Sequence, residues 1–228
     1  MQIVRRAAVS LWSRGEEEIS AAFPELADVC ALLPEGTTLD GELVAGLDND
    51  SDGWPRVASF ANLQQRLNRK RPGTALIRRI PVRFLAFDVL QFRNEDFRDR
   101  PWHLRRAALQ ALFDDLPTAA AARVQLSPVH EPKNFEAVAH WRQEAIARGA
   151  EGIMLKAKAE RYAVGRPRGV WWKWKREPRT FDGVLLYAQA GHGRRAGLHT
   201  DLTFGVWADD ELVPVARAYS GLSDAEFR

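Results

Sequence analysis

The chain has 228 residues, 46% of them apolar and 28% charged, and its 33 cations against 30 acids leave a formal net charge of +3 and a pI near 9.2. That length holds one large domain or two modest ones, and that composition folds, which excludes a disordered or low-complexity chain and leans mildly toward polyanionic partners. The single cysteine, Cys30, excludes an internal disulfide and a cysteine zinc cluster. With no signal-peptide pattern and no apolar run of about 18 residues, a reducing cytoplasm away from membranes is the expected setting.

Over the first 14 residues Val9, Leu11 and Ser13 alternate with Ser10, Trp12 and Arg14, which predicts a hairpin starting almost at Met1. TLDGELVAG (38–46) reads as a strand with Asp40, Glu42 and Val44 on one face and Leu39, Gly41 and Leu43 on the other, although an Asp-Gly pair is also the ordinary mark of a turn. SFANLQQRLNRK (59–70) predicts a short amphipathic helix capped by Ser59, with Phe60, Leu63 and Leu67 inward. VRFLAFDVL (82–90) is a buried strand in which Phe84 and Phe87 fall on opposite faces and Asp88 is conspicuous. Pro101 at the first helical position opens a helix to about Leu116, with Leu104, Ala108, Leu112 and Leu116 as its inner stripe. A second helix spans about 134–148 through Phe135, Val138, Trp141 and Ala145 and is closed by Gly149.

The strand EGIMLKAK follows, then RGVWWKWKRE (168–177), whose alternation puts Trp171, Lys173 and Lys175 on one face and Val170, Trp172 and Trp174 on the other. Pro178 cannot donate to a ladder, so the domain boundary is placed there, giving domains 1–178 and 179–228. The first is expected to be α+β with antiparallel sheets. The second, with FDGVLLYAQ, DLTFGVWAD and ELVPVARAY, is expected to be a small β-barrel.

Only six of the cations are lysines, and four of them, Lys156, Lys158, Lys173 and Lys175, fall within 156–175. An ammonium is a compact point charge suited to a phosphate, but such a cluster also serves as a solvated face or a protected sheet edge. Glu151 and Lys156 point to opposite faces of an ideal strand, so a shared site needs a bend at Gly152.

Taken in order, LWSRGEE, LDGELV, FLAFDVL, EGIMLK and WWKWK resemble the nucleotidyltransferase motifs of ATP-dependent DNA ligases, whose patterns are Ser-Arg-x-Gly, Asp-Gly-Glu, Phe-Asp, Glu-Gly-x-x-x-Lys and Trp-x-Lys-x-Lys. YAQAGHGRRAG resembles part of the OB-fold domain of bacterial ligases of the cisplatin damage response type. The resemblance implies an α+β, ATP-grasp-like nucleotidyltransferase domain followed by an OB-fold barrel. It further implies ATP as AMP donor, Mg²⁺, and a monomer that seals nicks in duplex DNA through enzyme-AMP and DNA-adenylate intermediates. Carried over, Arg14 contacts a phosphate or the nucleic acid, Glu42 the ribose or the metal, and Phe87 stacks on adenine. Glu151 places the metal, and Lys173 and Lys175 hold the α-phosphate, with Glu151, Lys173 and Lys175 forming the catalytic set. Lys156, Arg166, Arg168, Arg194 and Arg195, together with Arg14, are the expected nucleic-acid contacts. Pro167 stands where relatives carry a basic residue.

The family's attacking lysine lies in a Lys-x-Asp-Gly motif, and the first lysine here is Lys70. The expectation is therefore a fragment truncated at both ends and unable to adenylylate itself. The alternatives are a non-catalytic nucleic-acid-binding module and a nucleotidyltransferase of the RNA ligase or capping type.

Overall fold

The computed structural model describes every residue except Leu47, Asp52, Trp54, Asn68, Arg166, Pro167, Arg179, Ser220, Leu222 and Arg228. The chain divides into two compact units, Met1–Arg176 and Glu177–Arg228.

The first unit is built on a mostly antiparallel sheet in the order β2-β1-β3-β4-β5, with β1 Gln2–Arg5, β2 Val9–Trp12, β3 Thr37–Ala45, β4 Val82–Phe92 and β5 Glu95–Asp96. A short strand, β6 (Val124–Leu126), lies parallel to β4. Ile3, Leu11, Leu39, Phe84, Ala86 and Val89 line the covered side of the sheet and are completely buried. Against them lie Leu26 and Cys30 from α1 (Pro24–Cys30) and Leu109 and Leu112 from α4 (Trp102–Asp114). Removing each such side chain from water contributes about 1.5–3 kcal/mol. That makes this face the main source of stability. A separate antiparallel pair, β7 (Gly152–Lys156) and β8 (Trp171–Lys175), packs beside α6 (Phe135–Ala147).

The inner faces of the helices depart from the sequence expectation, for a common reason. In α2 (Phe60–Leu67) the buried residues are Leu63 and Arg66, while Phe60 is exposed. In α4 they are Trp102, Arg105, Leu109 and Leu112, with Leu104 exposed and Pro101 at the N-cap rather than the first helical position. Phe135 on α6 is exposed as well, and Asn134 caps that helix by accepting from the Ala137 N–H at 2.9 Å.

Arg66 in α2 and Arg105 in α4 take the missing inward positions, and Arg83 on β4 is buried in the same way. Arg66 donates to the carbonyls of Ala22 and Ile80 and to Glu25, and Arg83 donates to the carbonyls of Gly46 and Asp48 and to Asn49 and Gln125. A planar fork with five donors can be buried where several carbonyls converge, and a hydropathy stripe does not count it.

The second unit is an antiparallel meander, β11-β10-β9, formed by β9 (Val184–Ala190), β10 (His199–Ala208) and β11 (Glu211–Ala218). The register of β10 shifts against both neighbours around Thr203–Gly205, which bends the sheet as the corner of an OB-like fold requires. Among the described residues no helix is long and apolar enough to cross a membrane.

Candidate functional site

Asp-Gly-Glu lies inside β3 rather than in a turn. Gly41 is there because of crowding: a Cβ would sit 2.3 Å from the Phe84 ring and 2.5 Å from the Leu85 carbonyl oxygen. Between β3 and β4 the register jumps from Asp40 opposite Asp88 to Gly41 opposite Ala86, leaving Phe87 as the extra residue of a β-bulge. A bulge re-aims one side chain without disturbing its neighbours. Phe84, Ala86 and Val89 stay in the core, and Phe87 turns toward β7 and β8.

There Phe87 meets Lys156. The ammonium lies 4.3 Å from the centroid of the Phe87 ring and 4.2 Å from that of Trp171, its partner across the β7–β8 ladder. Its nitrogen is buried with no hydrogen-bond partner among the described residues, as is Nε1 of Trp171. The charge is thus held by two π-faces and by the nearby carboxylates of Asp88 and Asp40. Burial outweighs them and pulls the Lys156 ammonium down from 10.5 to about 8.

The carboxylates are themselves fixed. Asp88 accepts from Arg105 Nε at 2.7 Å and Nη2 at 3.0 Å, a two-pronged pair with neither side chain exposed. Asp40 accepts from the Tyr162 hydroxyl at 2.7 Å, and burial raises its pKa against that bond. Burial likewise raises the Tyr162 phenol, whose ring stands edge-on to Trp171 at 5.8 Å.

Residues directly opposite on an antiparallel pair share a face, so Lys156, Trp171, Lys173 and Lys175 project to one side of the β7–β8 sheet. On the other side Trp174 stacks on Phe135 at 5.1 Å beneath the Arg142 guanidinium, and Arg142 also donates to the Lys175 carbonyl. This anchoring fixes the direction of the lysines. Trp172 shares the anchored side and is half exposed.

Lys175 donates to Glu151 at 2.7 Å, and that bond, more than the charges around it, holds the Glu151 carboxyl below its ordinary value. Gly152, at φ +144°, lets Glu151 turn to Lys175, and a Cβ there would lie 2.2 Å from the Trp174 carbonyl oxygen. Glu151 and Lys156 therefore do not share a contact: the acid joins Lys175 and the lysine joins the rings. Lys173 is exposed and has no ion-pair partner among the described residues.

Other expected site residues are more scattered. Glu42 is exposed on β3, opposite Leu85, with no polar partner among the described residues. Arg14 is exposed in the turn after β2. Ser13-Arg14-Gly15 runs one residue short of Ser-Arg-x-Gly, and the position where that pattern has its glycine is Glu16, at φ +62°. Arg168 is exposed in the segment before β8, and Arg166 lies outside the described residues. In the second unit Arg194 is exposed on a single 3₁₀ turn, while Arg195 pairs with Asp224 at 2.7 Å.

Among the described residues no three His, Cys, Asp or Glu side chains come together as a metal cage. Mg²⁺ asks for less, one or two carboxylates with water and substrate phosphates completing the shell, and Glu42 and Glu151 have the right donors for that.

Sequence reasoning missed Tyr162 and Arg105. The tyrosine sits in a loop with no local pattern, and the arginine fell between the positions of the expected helix stripe. Asp40 and Asp88 stood out in the sequence without a role.

Comparison with known proteins places the chain in a family. Residues 1–175 match the family model described as the ATP dependent DNA ligase domain. A "Probable DNA ligase" of Sorangium cellulosum is 36% identical over 95% of this chain and 38% of its own length. Another from Koribacter versatilis is 32% identical over 98% of this chain and 41% of its own. The chain thus spans about two fifths of the curated relatives it matches. A solved structure, "mycobacterial DNA ligase D complexed with ATP and MES", is similar over 99% of this chain and 64% of its own, with a TM-score of 0.58 and 26% identity. The family match covers the whole sheet-and-helix unit that carries Phe87, Lys156 and Lys173, and the chain belongs to the ATP-dependent DNA ligase domain family.

Proposed function

We propose that this chain is the nucleotide-binding core of an ATP-dependent DNA ligase that seals nicks in duplex DNA. The observation that carries the proposal is the convergence of Phe87 from a bulged strand with Lys156 and Trp171 of a second sheet, on whose same face Lys173 and Lys175 stand. An aromatic wall beside two point charges is what a purine ribonucleoside phosphate asks of its site. The solved mycobacterial relative that shares this fold is described as complexed with ATP.

In this reading Phe87 stacks on the adenine, and a base entering on the side facing Trp171 takes the place of the Lys156 ammonium. Lys173, which has no carboxylate partner among the described residues, meets the α-phosphate. Lys175 is held in line by Glu151 until the phosphate competes for it. A bound Mg²⁺ would neutralise phosphate charge. Glu42 and Glu151 are the carboxylates that would hold it, while Glu42 otherwise reaches the ribose, and Arg14 faces a phosphate of the nucleotide or of the nick.

None of the six lysines stands in a Lys-x-Asp-Gly motif, so these 228 residues bind the nucleotide without forming a lysyl adenylate. The test is equilibrium binding of α-labelled ATP with Mg²⁺, followed by denaturation. Wild-type protein should bind, and Lys173→Ala should weaken binding about 10- to 100-fold, as expected for a lost charge-assisted phosphate contact of 1.5–3 kcal/mol. No label should survive denaturation. Equal binding by wild type and Lys173→Ala refutes the assigned pocket, and label retained on the chain refutes the non-covalent reading.

A further inference from the structure

From residue 53 to residue 87 the chain contains no acidic side chain and eight cations: Arg56, Arg66, Arg69, Lys70, Arg71, Arg78, Arg79 and Arg83. The net charge of the whole chain is only +3, so the remainder is net negative and the modest total conceals a segregated basic region. Arg66 and Arg83 are consumed in the core. The other end of the inventory is exposed. Arg69, Lys70, Arg71, Arg78 and Arg79 line the link from α2 to α3 (Thr74–Arg79) and the end of α3, and none has a carboxylate partner among the described residues. Among the described residues Arg79 donates to Gln65, at 3.3 Å. Arg69, Arg71 and Arg79 surround a groove of about 440 Å³ floored by Pro72, Ala75 and Leu76.

Three exposed arginines of this unit that do have partners offer a contrast. Arg98 pairs with Asp96, Arg100 with Glu95 and Arg161 with Asp99. An ordinary solvated surface intersperses its signs in that way. Five like charges with no counterion among the described residues repel one another, and a surface that keeps them does so for an external anion. The cluster is rich in arginine, unlike the lysine face of β8, and guanidinium forks suit the paired oxygens of a phosphodiester. It also lies apart from the nucleotide pocket. Arg79 at the groove's rim lies three residues before β4 begins at Val82, and from there to Phe87 the strand runs five residues, about 17 Å at 3.3 Å per residue. A mononucleotide cannot span that distance, whereas about five base pairs of duplex can, at two phosphates per 3.4 Å.

We infer that the α2–α3 surface, through Arg69, Lys70, Arg71, Arg78 and Arg79, is a second anion site that grips the phosphate backbone of duplex DNA away from the nucleotide pocket. The inference rests on the ligase reading. The contact is to backbone only, so it positions the duplex without selecting a sequence.

The test is binding of the 228-residue chain to a fluorescent nicked duplex from about 50 to 200 mM salt, where each phosphate contact adds about 0.9 to the slope of log K against log salt. The variant R69Q/K70Q/R71Q/R78Q/R79Q should lose about 3 or more from that slope and bind at least about tenfold more weakly at 50 mM. Its affinity for ATP should be unchanged. The control variant R98Q/R100Q/R161Q, which removes cations that already have partners, should keep the wild-type slope to within about 1. Duplex binding by wild type with an unchanged slope in the five-residue variant, or an equal loss in the control, overturns the surface assignment and leaves the ligase reading standing. Failure of wild type to bind duplex overturns both.

Discussion

Asp88→Asn should be among the most damaging single-atom changes in the first unit. Asp88 and Arg105 are both shut off from solvent, and the carboxylate takes two charge-assisted bonds from the guanidinium at 2.7 and 3.0 Å. The arginine is also bound to the carbonyls of Arg100 and Glu160, so it cannot follow its lost partner out to water. Removing one member of such a pair leaves an uncompensated buried charge, at a cost of about 3–5 kcal/mol. In a unit of 176 residues each kcal/mol moves the melting temperature by about 2–4 °C, so Asp88→Asn should lower it by about 6–20 °C. Urea unfolding followed by tryptophan fluorescence measures the free energy, and Asp88→Leu/Arg105→Met supplies the fourth corner of a cycle with the single changes. The double variant should recover most of the loss, because replacing both charges by apolar groups of similar size is close to neutral. A loss below about 1 kcal/mol in Asp88→Asn, or additive losses in the double variant, would refute the claim that this pair matters chiefly through the charge its rupture strands.

Two further outcomes follow from backbone and titration. Glu16 is held at φ +62°, where an L side chain costs about 1–2 kcal/mol, so Glu16→Gly should stabilise the protein by about 0.5–1 kcal/mol after the added freedom of the unfolded chain is subtracted; a lowered urea midpoint contradicts it. Lys156 titrates at about 8 when folded, against 10.5 ordinarily, so between those values the unfolded chain binds more protons and stability rises with pH. Below about pH 8 both states hold the proton and the cost of burying it is fully present; Lys156→Met should abolish the alkaline rise relative to wild type, and parallel stability profiles for the two proteins would exclude this role.

Strand alternation was enough to sort β8: Trp171, Lys173 and Lys175 stand on one side, and Trp174 on the other is packed on Phe135. Period-2 patterning works there because the two faces differ in kind. It could not show that Phe87 leaves the strand register, because a bulge is set by the partner strand, and here Gly41 lets β3 crowd against Phe84. Nor could it bring Tyr162 to Asp40, a contact spanning 122 residues and dependent on how the segment after β7 returns to the sheet. The helices α2 and α4 were found where the apolar period put them, but their inner faces were misread because Arg66 and Arg105 point inward. A hydropathy period treats every arginine as a surface residue, and this fold uses guanidinium as a structural cross-link.

That use of arginine explains why Lys156 is the unusual cation of the site. Arg105 is buried with a carboxylate and two carbonyls accepting from its fork, so hydrogen bonds replace the water it gave up. Lys156 has a round charge with three donors and has traded water for two ring faces, which attract the charge without accepting those hydrogens. It is the less completely compensated of the two. Burial consequently dominates its titration even with Asp40 and Asp88 nearby. A purine that stacked on Phe87 would return the ammonium to water or phosphate, recovering solvation energy as it bound. In this fold the buried arginines are tied by several bonds, and on the proposed reading the cation that yields to a ligand is a lysine with no hydrogen bond among the described residues.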